Sequence, residues 1–290
     1  MLATLARLIR PSAPRAVHPL LSLVVDTVGG GIAEAKDFEG LLSTALTVAT
    51  DYFSGQIAAI PGPVNISEPL FGQEASCSAL FPSADEITHA LGRSLEVKES
   101  LPGLARSGHQ YVHALLGVRC KPGQSAGQVV PYSDHTLRSL APKESDARNY
   151  LAFVAVKRLL NDFAEHVNKL RRRERLLKQE WNIRNEIVDP SAPTEAGEYV
   201  LAADELVPDK LLQGLIAWLE APEKYFRLEV GGAFLPSDRQ HAGRDSAALE
   251  LPLLHCSDRR QWLVCLVRFP VAEALQALER ETHYHRHIFI

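Results

Sequence analysis

The sequence has few cysteines and no long apolar run. Both absences limit the class of protein to which the chain can belong. Its 290 residues include four cysteines, namely Cys77, Cys120, Cys256 and Cys265. They form no CxxC pair, which argues against a zinc knuckle, a thioredoxin-like redox site and a dense disulfide framework. The best apolar candidate, residues 19–28, contains Asp26 and is shorter than the ~20 residues that cross a membrane. We therefore expect a chain without a membrane span, located in the reducing cytoplasm.

A large excess of one charge is also lacking. Lysine and arginine number 31 against 35 acidic residues, a formal net charge of −4, so the surface as a whole does not favour a polyanionic partner. Hydrophobic residues make up 46% of the chain, enough for one large or two modest domains. Residues 1–20 carry Arg7, Arg10 and Arg15 and no acid. This pattern leaves an organellar transit peptide as an alternative to a cytoplasmic location, although an amphipathic first helix is the favoured explanation.

The most informative pattern that is present is one long helix, from about Pro142 to Asp189. Acidic residues in its first turn and Pro190 directly after it are signals of helix termini. At about 1.5 Å per residue this helix is roughly 70 Å long, whereas a compact chain of this size is about 50 Å across. One end is therefore expected to project, bend or meet a partner. Steps of three and four residues trace its mostly apolar seam, which consists of Phe153, Val156, Leu160, Phe163, Val167, Leu170, Glu174, Leu177, Trp181 and Arg184.

The two halves of this helix differ in composition. In the first half further apolar residues flank the seam, as is typical of a helix buried in a globular core. From Lys169 onward the seam is narrow and basic residues flank it. Two copies packed along this half would oppose like charges, so the pattern favours an acidic helical partner, from elsewhere in the chain or from another protein. The predicted partner-binding residues are Arg171, Arg173, Leu177, Lys178 and Trp181, with the tryptophan as the apolar anchor.

Two other interpretations of the basic half stay open. The first is a solvated charged face beside a short seam. The second is nucleic-acid binding, because a basic cluster can follow phosphates. The sequence disfavours nucleic acid, since Glu174 and Glu180 interrupt the cluster and no aromatic platform or groove-reading motif accompanies it.

The order of the patterns predicts an α+β fold. A mostly helical N-terminal body and the long central helix precede a small α+β module, and proline and glycine are concentrated in the linker between them. The predicted boundaries are 1–141 for the N-terminal region, 142–189 for the long helix, 190–199 for the linker and 200–290 for the module.

Periodicity predicts individual elements within these regions. Helices are expected at 37–52, 84–95, 209–219 and 271–281, and a helix or kinked pair at 101–116. Strands are expected at 225–230, 248–255 and 261–269, with residues 283–290 returning as a further strand. The apolar run at 20–28 fits either a strand or a buried helix, and residues 54–82 are expected to be an irregular connection with one short strand.

One loop matches a catalytic motif. Residues 123–127 read Gly-Gln-Ser-Ala-Gly, the pattern of a nucleophile elbow, in which the serine occupies a strained turn between a strand and a helix. Pro122 and Pro131 flank the loop where that strand and helix should lie, so a flexible loop is favoured over a hydrolase with Ser125 as nucleophile. His255 and Asp258 are the available triad partners.

Two histidines have the spacing of zinc ligands. His109 and His113 would share one helix face if this segment is helical, yet no glutamate base accompanies them. A glycine run at residues 29–31 lacks the remaining residues of a dinucleotide-binding or phosphate-binding loop. We therefore expect no metal and no cofactor. The favoured function is a non-enzymatic interaction or regulatory protein, adaptor-like, that binds its partner through the long helix; a serine hydrolase or a nucleic-acid-associated protein is the alternative.

Overall fold

The computed structural model describes residues 19–120, 134–187, 196–235, 249–256 and 261–287. The chain divides into two compact units. The described residues of the first unit fall within 3–53 and 153–222, and those of the second within 54–152 and 223–290. The predicted α+β class and the single long central helix are confirmed.

Nine α-helices and six strands make up the regular structure of the described residues. The helices are α1 (Leu21–Val28), α2 (Phe38–Ala58), α3 (Ala75–Leu80), α4 (Ala84–Arg93), α5 (Leu95–Arg106), α6 (Glu144–Ile187), α7 (Ala196–Asp204), α8 (Pro208–Leu219) and α9 (Val271–His287). The strands are β1 (Val64–Asn65), β2 (Tyr111–Cys120), β3 (His135–Ala141), β4 (Phe226–Leu235), β5 (Leu249–Cys256) and β6 (Gln261–Pro270). Two short 3-10 helices lie at Gly30–Glu34 and Pro222–Lys224. No described helix is both long enough and apolar enough to span a bilayer.

The first unit is helical and contains the first half of the predicted seam. Apolar residues three or four apart along α6 are buried, as the helical period requires; they are Val156, Leu160, Phe163 and Val167. The Phe163 ring meets the Trp218 ring edge-on, with 5.4 Å between centroids. Helices α6 and α8 therefore share this core, and the prediction that the first half of α6 is core is confirmed.

The second unit is built on a mixed sheet. Its strand order is β3-β2-β6-β5-β4, with β1 beside β6. The β1–β6 pair is parallel and the other pairs are antiparallel. One sheet face packs on α4, α5 and α9, since alternate residues of β2 and β6 share a buried cluster with these helices. Ser83 caps α4, since its hydroxyl accepts the Glu86 N–H at 3.3 Å. The β5–β6 pair is antiparallel.

The expected helix at 101–116 is wrong in its second half. Helix α5 ends at Arg106, Gly108 adopts a φ of +77°, and β2 begins at Tyr111. Every second residue of β2, from Val112 to Val118, is buried, and β2 pairs with β6 along its whole length. The short apolar run fits both periods locally, and pairing with a distant strand selects the extended one.

Three further differences follow from tertiary structure. The 20–28 run is the helix α1, one of its two expected forms, whereas 54–82 contains the end of α2 and the helix α3 in addition to the expected short strand, β1. The backbone of 283–287 belongs to α9 and is not a returning strand. The sheet joins β2 and β3 to the three C-terminal strands, so the division into units differs from the expected boundary at 190–199.

The second unit holds a histidine whose burial makes stability depend on pH. The ring of His135 stacks on Phe81, with 4.6 Å between centroids, and its Nε2 lies 2.9 Å from the Leu80 carbonyl oxygen. Burial lowers the pKa of His135, outweighing the opposing effects of this hydrogen bond, Glu86 and Asp134. The folded state therefore binds this proton less readily than the unfolded chain does.

Acidification is therefore expected to destabilise the second unit through His135. As the pH falls below the unfolded pKa of about 6.5, only the unfolded chain takes up the proton, and the unfolding free energy falls by up to ~1.4 kcal/mol per pH unit. The measurement is urea denaturation at about pH 7, 6 and 5 for the parent and His135→Gln. The variant should show the shallower slope, and equal slopes would contradict the assignment.

Candidate protein-binding surface

The second half of α6 carries apolar side chains that the first unit does not cover. Val167 is buried, whereas none of residues 168–183 is. Leu176 and Ile183 expose 59% and 56% of their surface. They lie seven residues apart, which is two helical turns, and so point to the same side of α6.

Helix α7 carries exposed apolar side chains of its own. The Trp181 ring stacks on the Tyr199 ring at 6.2 Å between centroids and an interplanar angle of 18°, which brings α7 against α6. The next two residues of α7, Val200 and Leu201, expose 56% and 65% of their surface. We call Leu176, Trp181, Ile183, Val200 and Leu201 the α6–α7 surface. All five are large apolar residues that are exposed. Leu176 and Ile183 share one side of α6, whereas Trp181, five residues after Leu176, lies on another side and faces α7. Groups of exposed large apolar side chains are typical of interaction sites.

Basic side chains also lie along the second half of α6. Arg172, Arg173 and Lys178 are exposed. Within the described part of the chain, no carboxylate lies within salt-bridge distance of any of these three groups. By contrast, Arg158 in the first half of α6 pairs with Asp162 at 2.9 Å. The unpaired charges favour an anionic surface as the complement.

Arg171 has a different role from the one predicted. Its Nη2 donates to the Val28 carbonyl oxygen at 3.5 Å, at the C-terminal end of α1, where a cation offsets the unpaired carbonyls and the helix dipole. The same nitrogen lies 3.5 Å from the position that a Cβ on Gly29 would take. Arg171 thus holds α1 to α6, and we remove it from the predicted binding set.

The other predicted residues remain on or beside this surface. Arg173 and Lys178 are exposed, Leu177 is half-buried, and Trp181 keeps 38% exposure while it packs on Tyr199. The predicted seam ran through Leu177 and Trp181, so it missed Leu176 and Ile183, and it did not include α7. The seven-residue spacing of Leu176 and Ile183 was the available signal.

The predicted hydrolase nucleophile, Ser125, and its possible partner Asp258 lie outside the described residues. The other candidate, His255, has both ring nitrogens within reach of neighbours. Its Nε2 lies 2.9 Å from Glu229 Oε2, and its Nδ1 lies 3.4 Å from the Gln261 amide nitrogen. This polar network lies within the sheet of the second unit and connects β4, β5 and β6.

The two candidate zinc ligands do not share a helix face. His109 lies between α5 and β2 and is exposed, whereas His113 is half-buried within β2. The spacing argument required a helix through both residues, so the proposed pairing is wrong. Across the described residues, no group of three or more histidine, cysteine, aspartate or glutamate side chains is arranged to hold a metal ion.

No family model, curated protein or solved structure matches this chain. The α6–α7 surface is therefore the feature of the described residues from which we infer function.

Proposed function

We propose that this chain is an interaction protein, adaptor-like or regulatory, that binds another protein through the α6–α7 surface. The observation that carries the proposal is the exposure of Leu176 and Ile183 beside Arg172 and Arg173, for which the described residues supply no acidic partner. Burying one large aliphatic side chain contributes roughly 1.5–3 kcal/mol, so two such residues support a useful share of a binding energy.

The partner that fits best is an amphipathic helix with an acidic flank. Apolar residues two turns apart on a helix suit a partner helix that presents anchors at i, i+3, i+4 and i+7. Acidic residues beside those anchors would pair with Arg172 and Arg173, which lie four and three residues before Leu176. A second copy of α6 fits less well, because it would bring the same basic residues together.

Loss of the apolar anchors should abolish association. In Leu176→Asp/Ile183→Asp, each carboxylate would be desolvated at the interface, and affinity should fall at least tenfold per site. The measurement is an affinity pull-down from the native lysate, followed by titration of the purified partner by calorimetry. Leu95→Asp is the matched control, because Leu95 is 62% exposed on α5 and lies outside the surface.

The charge reversal Arg172→Glu/Arg173→Glu tests the acidic character of the partner. It should weaken binding and reduce its dependence on salt, since it removes attraction and adds repulsion. A partner captured equally by the parent, the double aspartate variant and Leu95→Asp would show that the second half of α6 is merely a solvated face.

A further inference from the structure

A row of polar residues crosses the sheet of the second unit. His113 of β2 is directly opposite Arg268 of β6, and Asn65 of β1 pairs with Arg268 from the other side. Residues opposite each other in a sheet project from the same face. Tyr111 lies two residues before His113 and therefore shares this face. Four polar side chains from three strands thus converge at one end of the sheet.

The backbone beside this row is distorted. The β2–β3 register shifts between His113 and Leu115, which is the signature of a bulge, and Ser139 on β3 adopts a φ of +60°. Ser139 is only 2% exposed, so a buried serine occupies the left-handed region that non-glycine residues seldom enter. Bulges and backbone strain of this kind concentrate at functional sites, where they re-aim a side chain.

Two side chains in this row lack an expected polar partner among the described residues. The Arg268 guanidinium carbon lies 4.0 Å above the centre of the Tyr111 ring, and no described carboxylate forms an ion pair with it. The Nδ1 atom of His113 is buried without a hydrogen-bond partner. Most buried polar atoms in folded proteins are satisfied, so this pair calls for an explanation.

The local charge balance indicates which ligand would satisfy Arg268. The nearby acid on α6, Glu144, already pairs with Arg148 at 2.8 Å, which leaves one uncompensated positive charge. A guanidinium presents a planar fork of N–H donors that matches a carboxylate, and one charge suits a monoanion better than a phosphate dianion. Tyr111, which is 42% exposed, orients the Arg268 guanidinium by a cation–π contact.

We infer that Arg268, oriented by Tyr111 and flanked by Asn65 and His113, binds the carboxylate of a small organic acid. The site lies entirely in the second unit and is separate from the α6–α7 surface of the first. The pKa of His113 should change when a carboxylate occupies this site. Burial is the main cause that lowers the pKa of His113, the Arg268 charge lowers it further, and the nearby Pro142 backbone and the Glu144 charge oppose both.

The direct test is a benzoate titration of the full chain, followed by calorimetry and by NMR of the His113 ring. Benzoate should bind in the millimolar range expected of so small a ligand, and it should raise the pKa of His113 because the anion offsets the Arg268 charge. Arg268→Gln should lose at least tenfold in affinity, and Arg268→Lys should lose less because it keeps the charge without the fork. Arg227→Gln is the matched control, since Arg227 lies on β4 of the same sheet, 3.6 Å from Glu229, and this variant should bind as the parent does.

Each result of this titration either supports or overturns the proposed carboxylate site. Loss in Arg268→Gln with retention in Arg227→Gln supports the site, provided that benzoate raises the pKa of His113 in the parent and in Arg227→Gln but not in Arg268→Gln. No binding of benzoate or acetate by the parent overturns it. Equal affinity for inorganic phosphate overturns the carboxylate assignment, and unchanged affinity in a folded Arg268→Gln shows that the anion binds elsewhere.

Discussion

Replacing Phe163 with alanine is expected to lower the free energy of unfolding of the first unit by about 3–5 kcal/mol. The side chain is 2% exposed and packs edge-on against Trp218, so truncation removes buried apolar surface and leaves a cavity between α6 and α8. Urea denaturation monitored by tryptophan fluorescence measures the loss, because Trp218 contacts the altered site.

Leu176→Ala on the same helix is the matched control for Phe163→Ala. Leu176 is 59% exposed, so its truncation should change stability by no more than about 0.5 kcal/mol. The two variants therefore contrast the buried and exposed halves of α6. Comparable losses from both would mean that the second half of α6 is covered in the folded monomer, and the proposed binding surface would then be unavailable.

Gly92→Ala is expected to cost about 1–3 kcal/mol, although alanine is the better helix former. A Cβ at Gly92 would lie 2.7 Å from the Ala277 carbonyl oxygen and 3.2 Å from the Glu281 Cβ. Both atoms belong to α9, and a backbone oxygen cannot turn aside as a side chain can. Helices α4 and α9 would have to separate, which would also loosen the 3.0 Å ion pair between Arg93 and Glu281.

Gly103→Ala is expected to have the opposite effect on stability. Gly103 lies in α5, and no heavy atom lies within 4 Å of its added Cβ. Here alanine should raise stability by up to about 1 kcal/mol through helix propensity alone. Thermal unfolding followed by circular dichroism compares the two variants. A stabilising Gly92→Ala would show that α4 and α9 do not approach as closely as the structure places them.

Much of the secondary structure could be predicted because local chemistry determined it. The long helix was expected from Pro142 to Asp189, and α6 runs from Glu144 to Ile187. Its ends are defined by acidic residues in the first turn and by proline after the last, and these signals act within a few residues. The same holds for Ser83, whose side chain caps α4 with no help from the rest of the fold.

Where two periods fit the same residues, prediction from the sequence was wrong. The run from Val112 to Val118 supports a helix or a strand, and β2 forms because β6, about 150 residues later, offers a complete antiparallel partner. That pairing also removed the basis for a zinc site at His109 and His113. It placed His113 opposite Arg268 instead, a neighbour that no spacing rule could supply.

The candidate binding surface could likewise be predicted only in part from the sequence. Sequence periodicity and charge by themselves determined that α6 is one long helix with an apolar first half and a basic second half, because helical period and charge are properties of neighbouring residues. Only the tertiary structure decided which side chains on that half are available. Arg171 is occupied at the end of α1, Trp181 packs on Tyr199, and Leu176 and Ile183 are left exposed, because exposure depends on which distant segments of the chain pack against each face of the helix.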